Sequence, residues 1–245
     1  AIFVLAMFMT QVIEMPQRMV AQISTPIISE AWKNKEKWRI EELYKKSAVN
    51  LFVIGALLFL LIWGSIDEIF VLTPKTEIYR LGKTVVFCLG ITKVFDMATG
   101  LHSEIIQYSK YYNFTIFSVL LLGCMTIFFN YQLIPVYGID GAAYAYLVAY
   151  LLYAIVKVTF IWFAFGLHPF SKQTWVILAI SGMIFSINYL IRFPLTDKLF
   201  ALLSIILRSL LTTAFFAVCI YFLKISPDIN RLTEKGLAFL KKKTG

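Results

Sequence analysis

Ionisable and polar side chains recur at spacings of three and four inside otherwise apolar stretches of this sequence. Gln11, Glu14, Arg18, Gln22, Thr25 and Ser29 fall along one side of a helix. Lys93, Asp96, Gly100 and Glu104 repeat the arrangement over about 16 Å of axial length at roughly 1.5 Å per residue. Tyr146, Tyr150, Tyr153 and Lys157 make a third stripe, aromatic and ending in a cation. Cations on a wetted helix face hold anions, and carboxylates take up protons or small cations. Tyrosine offers a sugar ring a flat apolar face and a hydroxyl. Plainer roles fit the same residues. Glu14 with Arg18 and Lys93 with Asp96 stand at the spacing of ion pairs within one helix. Lys157 can reach a headgroup layer, and the tyrosines can serve as packing. The spacing alone leaves both readings open. His102 reads as a packing residue, since no second His or Cys lies at ligand spacing, and Arg208 stands alone in its apolar run. No set of nucleophile, base and orienting group is legible, so neither enzymatic activity nor a bound cofactor is expected.

The elements that carry these stripes follow from composition. Of 245 residues, 60% are hydrophobic and 15% charged, with a mean hydropathy of +0.77; soluble domains average about 25% charged. Seven apolar stretches are long enough to cross a hydrocarbon core of about 30 Å. They cover residues 1–31, 46–66, 83–108, 112–134, 140–166, 173–192 and 198–223. An all-α polytopic membrane helix bundle of about seven transmembrane helices is therefore predicted. The lack of strict apolar and polar alternation argues against a barrel. Pro16 and Pro26 predict a bent first helix, and Gly141, Ala145 and Ala149 form a small-residue ridge suited to close helix approach. Cys88, Cys124 and Cys219 lie in apolar runs and read as small buried hydrophobes, with neither disulfide nor zinc implied.

Basic residues set the orientation. The side that holds the basic residues from Lys33 to Lys46, Lys110, Lys172, Lys224, Arg231 and the C-terminal lysines collects fourteen of the 23 Lys and Arg. The side with Lys75, Arg80, Lys83, Arg192 and Lys198 collects five. Arg18, Lys93, Lys157 and Arg208 remain within spans. This asymmetry predicts a cytoplasmic C-terminus. The net charge of +9 is accounted for by loops lying against anionic membrane lipids, and no nucleic acid is called for. The run from Trp32 to Lys46 reads as a helix lying on the headgroups. So does the basic amphipathic tail of residues 226–245, which follows a membrane unit of residues 1–225.

Residues 130–143 read N-Y-Q-L-I-P-V-Y-G-I-D-G-A-A. This run resembles the N-x-x-L-I-P-x-Y-G-I-x-G-A-A junction of bacterial oligosaccharide flippases, the polysaccharide-transporter branch of the multidrug/oligosaccharidyl-lipid/polysaccharide exporter superfamily. The stretch from Lys93 to Tyr112, and Pro26 with Ser29 ahead of a basic loop, are similar to members of the same branch. The resemblance implies two lobes of about 12 to 14 helices in all, around a cavity open alternately to either side of the bacterial inner membrane. Its cargo would be an undecaprenyl-pyrophosphate-linked oligosaccharide for O-antigen, capsule or exopolysaccharide. The polymerase and chain-length machinery would be further partners. Beginning at Ala1 inside an apolar helix, the chain reads as the C-terminal lobe, with an N-terminal lobe ahead of it. Gln11, Glu14, Arg18, Gln22, Lys93, Asp96, Glu104, Tyr150, Tyr153 and Lys157 would line the cavity. Arg18, Lys93 and Lys157 match the family's general need for cavity cations, and Glu14 or Asp96 would couple an H+ or Na+ gradient.

Three other readings make different demands. A multidrug/cation antiporter of the same superfamily would favour acidic residues, yet the four intramembrane cations outnumber Glu14, Asp96 and Glu104. A sugar-transferring or polymerising enzyme would carry a large extramembrane loop with clustered carboxylates. A purely structural subunit would need none of the stripes.

Overall fold

Apolar runs bounded by Gly, Pro and charge become helices in the computed structural model, which describes residues 2–73, 82–190 and 198–225. The helices are α1 (Ile2–Lys33), α2 (Lys37–Gly64), α3 (Ile66–Leu72), α4 (Lys83–Ala98), α5 (His102–Gln107), α6 (Asn113–Phe165), α7 (Lys172–Leu190) and α8 (Lys198–Phe222). Among the described residues there is no strand. Four of these helices, α2, α6, α7 and α8, are long and apolar enough to cross a membrane.

α6 is 53 residues long, about 80 Å if it were straight and far more than a bilayer of about 30 Å needs. It is not straight. Gly138 has φ 58 and ψ −127, the first central position of a type II′ turn, which residues with a Cβ avoid. Beyond it the chain folds back. Phe114 stacks on Phe160 with centroids 3.7 Å apart, and Tyr137 meets Tyr144 edge-on at 5.8 Å. The two limbs, residues 113–137 and 139–165, therefore lie antiparallel as a hairpin. A Cβ on Gly141 would stand 2.2 Å from the Leu133 carbonyl oxygen, so the residue must be glycine for the limbs to meet.

Expected and observed boundaries differ in two further places. The stretch 83–108 is interrupted after Ala98, where Gly100 takes φ 63 and a Cβ would stand 3.0 Å from the Ala48 backbone nitrogen of α2. α5 then starts at His102. The basic run from Trp32 to Lys46 is not a separate surface helix. A tight turn at Lys35 (φ 60), closed by the Glu36 amide donating to the Ala31 carbonyl at 2.9 Å, leads straight into α2. The first turns of α2 bury Ile40 and Tyr44 in the core, which holds that segment to the bundle axis. α1 continues through Pro16 and Pro26 without interruption. The tail of residues 226–245 lies outside the described residues, as do Lys75, Arg80 and Arg192.

The core is layered along the axis. One end packs Ala6, Ile66, Phe70, Val85, Leu89 and Ala143, and Ile13, Leu51, Phe59 and Met97 fill the middle. The other end joins Ile28, Ile40, Tyr44, Leu101, Ile105, Ile161 and Phe165. At that end the Trp32 indole donates to the Ile105 carbonyl at 3.2 Å, and its ring lies 4.7 Å from that of Phe165. The turns after α1, α5 and α6, with Lys33, Lys35, Lys37 and Lys110, are thereby gathered at one end of the bundle. α7 and α8 pack beside α2 through Ile177, Ile180, Ile184, Phe216 and Ile220.

Candidate functional site: a buried polar track between α1, α4 and α6

The polar stripes of α1 and α4 meet. Lys93 donates to Oε2 of Glu14 across the two helices, while Arg18 Nε donates to Oε1 of the same carboxylate at 3.0 Å. Glu14 and Lys93 are mostly enclosed, whereas the Arg18 side chain is 65% exposed on the outer face of α1. Lys93 thus pairs with another helix and not with Asp96 of its own, as the spacing had also allowed. A carboxylate shared by two cations leaves a net positive charge, presented outward by Arg18.

From this triad the track passes to the second limb of α6. Tyr146 lies within electrostatic reach of Lys93, Glu14 and Asp96. Its ring is 5.8 Å from Tyr150, which is 5.5 Å from Tyr153, so the three rings form a ladder along one helix face. Tyr150 is directed at Asp96. At the far end Lys157 is 1% exposed. Its ammonium donates to Ser103 Oγ at 2.6 Å and to the Tyr153 hydroxyl at 2.8 Å, and stands 4.6 Å from the centre of the Tyr153 ring. It does not reach a headgroup layer. The break between α4 and α5 turns His102 into the same cluster, with Nδ1 3.2 Å from Thr99 Oγ1 and Nε2 3.6 Å from Asp96 Oδ1. Glu104 stands in the field of Lys157 and Asp96.

Of the residues proposed from sequence, Glu14, Arg18, Lys93, Asp96, Glu104, Tyr150, Tyr153 and Lys157 belong to this connected track. Gln11 and Gln22 do not join it; they lie exposed on the outer face of α1 beside Val12, Met15, Met19 and Ile23. His102, expected to be a packing residue, is buried among charges. Cys124 faces outward on the first limb of α6, unlike buried Cys88.

A second polar centre went unrecognised. Glu68 of α3 is 2% exposed. It accepts from Ser204 at 3.2 Å and pairs with Arg208 of α8 at 3.3 Å, and Arg208 also donates to the Gly64 carbonyl at 2.6 Å. A pair of adjacent carboxylates, Asp67 and Glu68, just past one apolar run and a lone arginine in another were the available signal. Nothing in either run names the other. This centre ties α3 to α8. Among the described residues no group of three His, Cys, Asp or Glu is placed to hold a metal. The cleft lined by Phe52, Phe59, Leu60, Ile91, Leu178 and Phe185 is apolar and lies apart from the track.

Charge is distributed inside out. Lys157 and Glu68 are enclosed while Phe163 is 77% and Tyr131 83% exposed, along with most of the large apolar side chains of α7 and α8. Water would oppose that arrangement and hydrocarbon favours it. Fold and burial together define a membrane-embedded helical bundle with an internal polar track. No family model matches the chain, and neither a curated protein nor a solved structure matches it.

Proposed function

We propose that this chain is one lobe of a bacterial inner-membrane flippase that translocates undecaprenyl-pyrophosphate-linked oligosaccharides for surface polysaccharide. In this reading it crosses the membrane seven times. The crossings are α1, α2, α4 with α5, the two limbs of α6, α7 and α8, and the basic end lies in the cytoplasm. The observation that carries the reading is the exposed guanidinium of Arg18, midway along α1 and braced by Glu14 and Lys93. An unshielded cation at that depth costs roughly 2.5 to 3.5 kcal/mol against lipid, so the outer face of α1 has to meet protein or water. A pyrophosphate crossing beside it would find a bidentate partner, with its prenyl tail left in the bilayer. The junction around Gly138, the excess of cations over carboxylates within spans, and the lack of any nucleophile cluster support transport of an anionic headgroup over drug export or polymerisation.

The test is export of surface polysaccharide in a strain lacking its own flippase, with protein abundance followed by immunoblot. Arg18→Gln at normal abundance is expected to lose most of the polymer, at least tenfold, and Arg18→Lys to retain part of it. Wild-type polymer from Arg18→Gln would overturn the headgroup assignment.

A further inference from the structure

We propose that Asp96, His102 and Glu104 form a binding site for one proton, held against the buried ammonium of Lys157 at the break between α4 and α5. The hydrogen-bond partners of Lys157 are the neutral hydroxyls of Ser103 and Tyr153, so its charge is balanced by the carboxylates standing in its field. Those are Glu104 on α5 and, one step further through His102, Asp96 at the last turn of α4. His102 is 1% exposed. Nδ1 lies 3.3 Å from the Gly100 carbonyl, an acceptor that assigns the N–H of the neutral ring to Nδ1. Nε2 then carries a lone pair, has no hydrogen bond, and faces Asp96 Oδ1 at 3.6 Å. An unpaired acceptor beside a carboxylate inside a protein is where a proton is missing.

Charge arithmetic gives the stoichiometry. With Lys157 charged, both carboxylates ionised and the imidazole neutral, the cluster carries one net negative charge. One added proton, on Nε2 and facing Asp96 Oδ1, makes it neutral, and a second makes it positive. Enclosure disfavours both charged states, so the cluster retains one exchangeable proton. The other groups around it fit that count. α6 contributes Tyr150 and Tyr153. One level along the axis Lys93 and Glu14 are already paired.

Binding has a mechanical consequence, because the groups sit on opposite sides of the Gly100 break. A proton shared between His102 and Asp96 draws α5 to α4, and its loss leaves Asp96 and Glu104 repelling across the break. Trp32, hydrogen-bonded to the Ile105 carbonyl, reports where α5 lies. The site stands independently of what the chain transports.

The experiment uses the full chain in lipid nanodiscs with 15N-labelled histidine and tryptophan. The sequence has two histidines, so a His168→Gln background leaves only His102. Titrated between about pH 3 and 8, the His102 ring nitrogens are expected to shift in a single one-proton transition. The Trp32 indole resonance, assigned with Trp32→Phe, should move at the same midpoint. Asp96→Asn and Glu104→Gln should lower that midpoint, and Lys157→Met should raise it, each by about one pH unit or more. Two carboxylate variants guard against one that fails to fold. Ring nitrogens that do not respond, a midpoint unmoved by all three substitutions, or a midpoint set by sodium concentration would overturn the proposal.

Discussion

Glu14 is the residue on which the α1–α4 contact turns, because it accepts from Lys93 on one oxygen and from Arg18 on the other. Removing Lys93 leaves a mostly enclosed carboxylate with a single, solvent-facing partner, whereas removing both members leaves nothing to compensate. Lys93→Met should therefore destabilise the protein by about 1 to 3 kcal/mol. The double variant Glu14→Gln with Lys93→Met should recover at least half of that. Thermal unfolding in detergent of the two singles and the double measures the coupling, and strictly additive losses would show that the pair contributes none. The stripe residues were legible in sequence because spacings of three and four report a helix face. Their partners were not. A lysine one turn from an aspartate looks paired with it, and only packing turns Lys93 toward α1 and leaves Asp96 to His102 and Tyr150. Glu68 and Arg208 illustrate the same blindness, since nothing in the sequence sets Glu68 apart from the neighbouring Asp67 or joins it to Arg208 until α3 folds onto α8.

At the scale of the element, the α6 hairpin depends on Gly141 more than on any apolar contact, since no side chain fits beside the Leu133 carbonyl. Gly141→Ala should cost about 2 kcal/mol or more through overpacking. Gly123→Ala, in the open first limb where an added Cβ meets nothing within 4 Å, should be neutral or stabilise by up to about 1 kcal/mol. Yield of monodisperse protein and its melting temperature separate the two, and equal behaviour would remove the close approach as a constraint. Helix positions were readable from the sequence at most boundaries, because apolar runs here end in Gly, Pro or clustered charge. The exceptions share a cause. Gly100 was counted as one more position of the α4 stripe, although its packing on Ala48 makes it the end of α4. The basic segment 37–46 looked superficial because its charges are obvious, while Ile40 and Tyr44, the residues that bury it, are few.

For the molecule as a whole, the basic turns lie at the end opposite the Gly138 turn, so orientation is one binary choice for every helix. A reporter active only in the periplasm should be silent when fused after Lys243 and active when inserted at Tyr137. The reverse pattern would invert the whole assignment. The hairpin also bears on how the bundle feels its surroundings. Its first limb presents Ile116, Leu120, Ile127 and Tyr131 outward and touches the rest of the molecule chiefly through its partner limb. That partner carries Tyr150, Tyr153 and Lys157. Closed by Gly138 at one end and by the Phe114–Phe160 stack at the other, the two limbs are pinned to one another at both ends. Lateral pressure on the outer arm would therefore reach the charged interior through this pinning, with no headgroup or solute having to enter it.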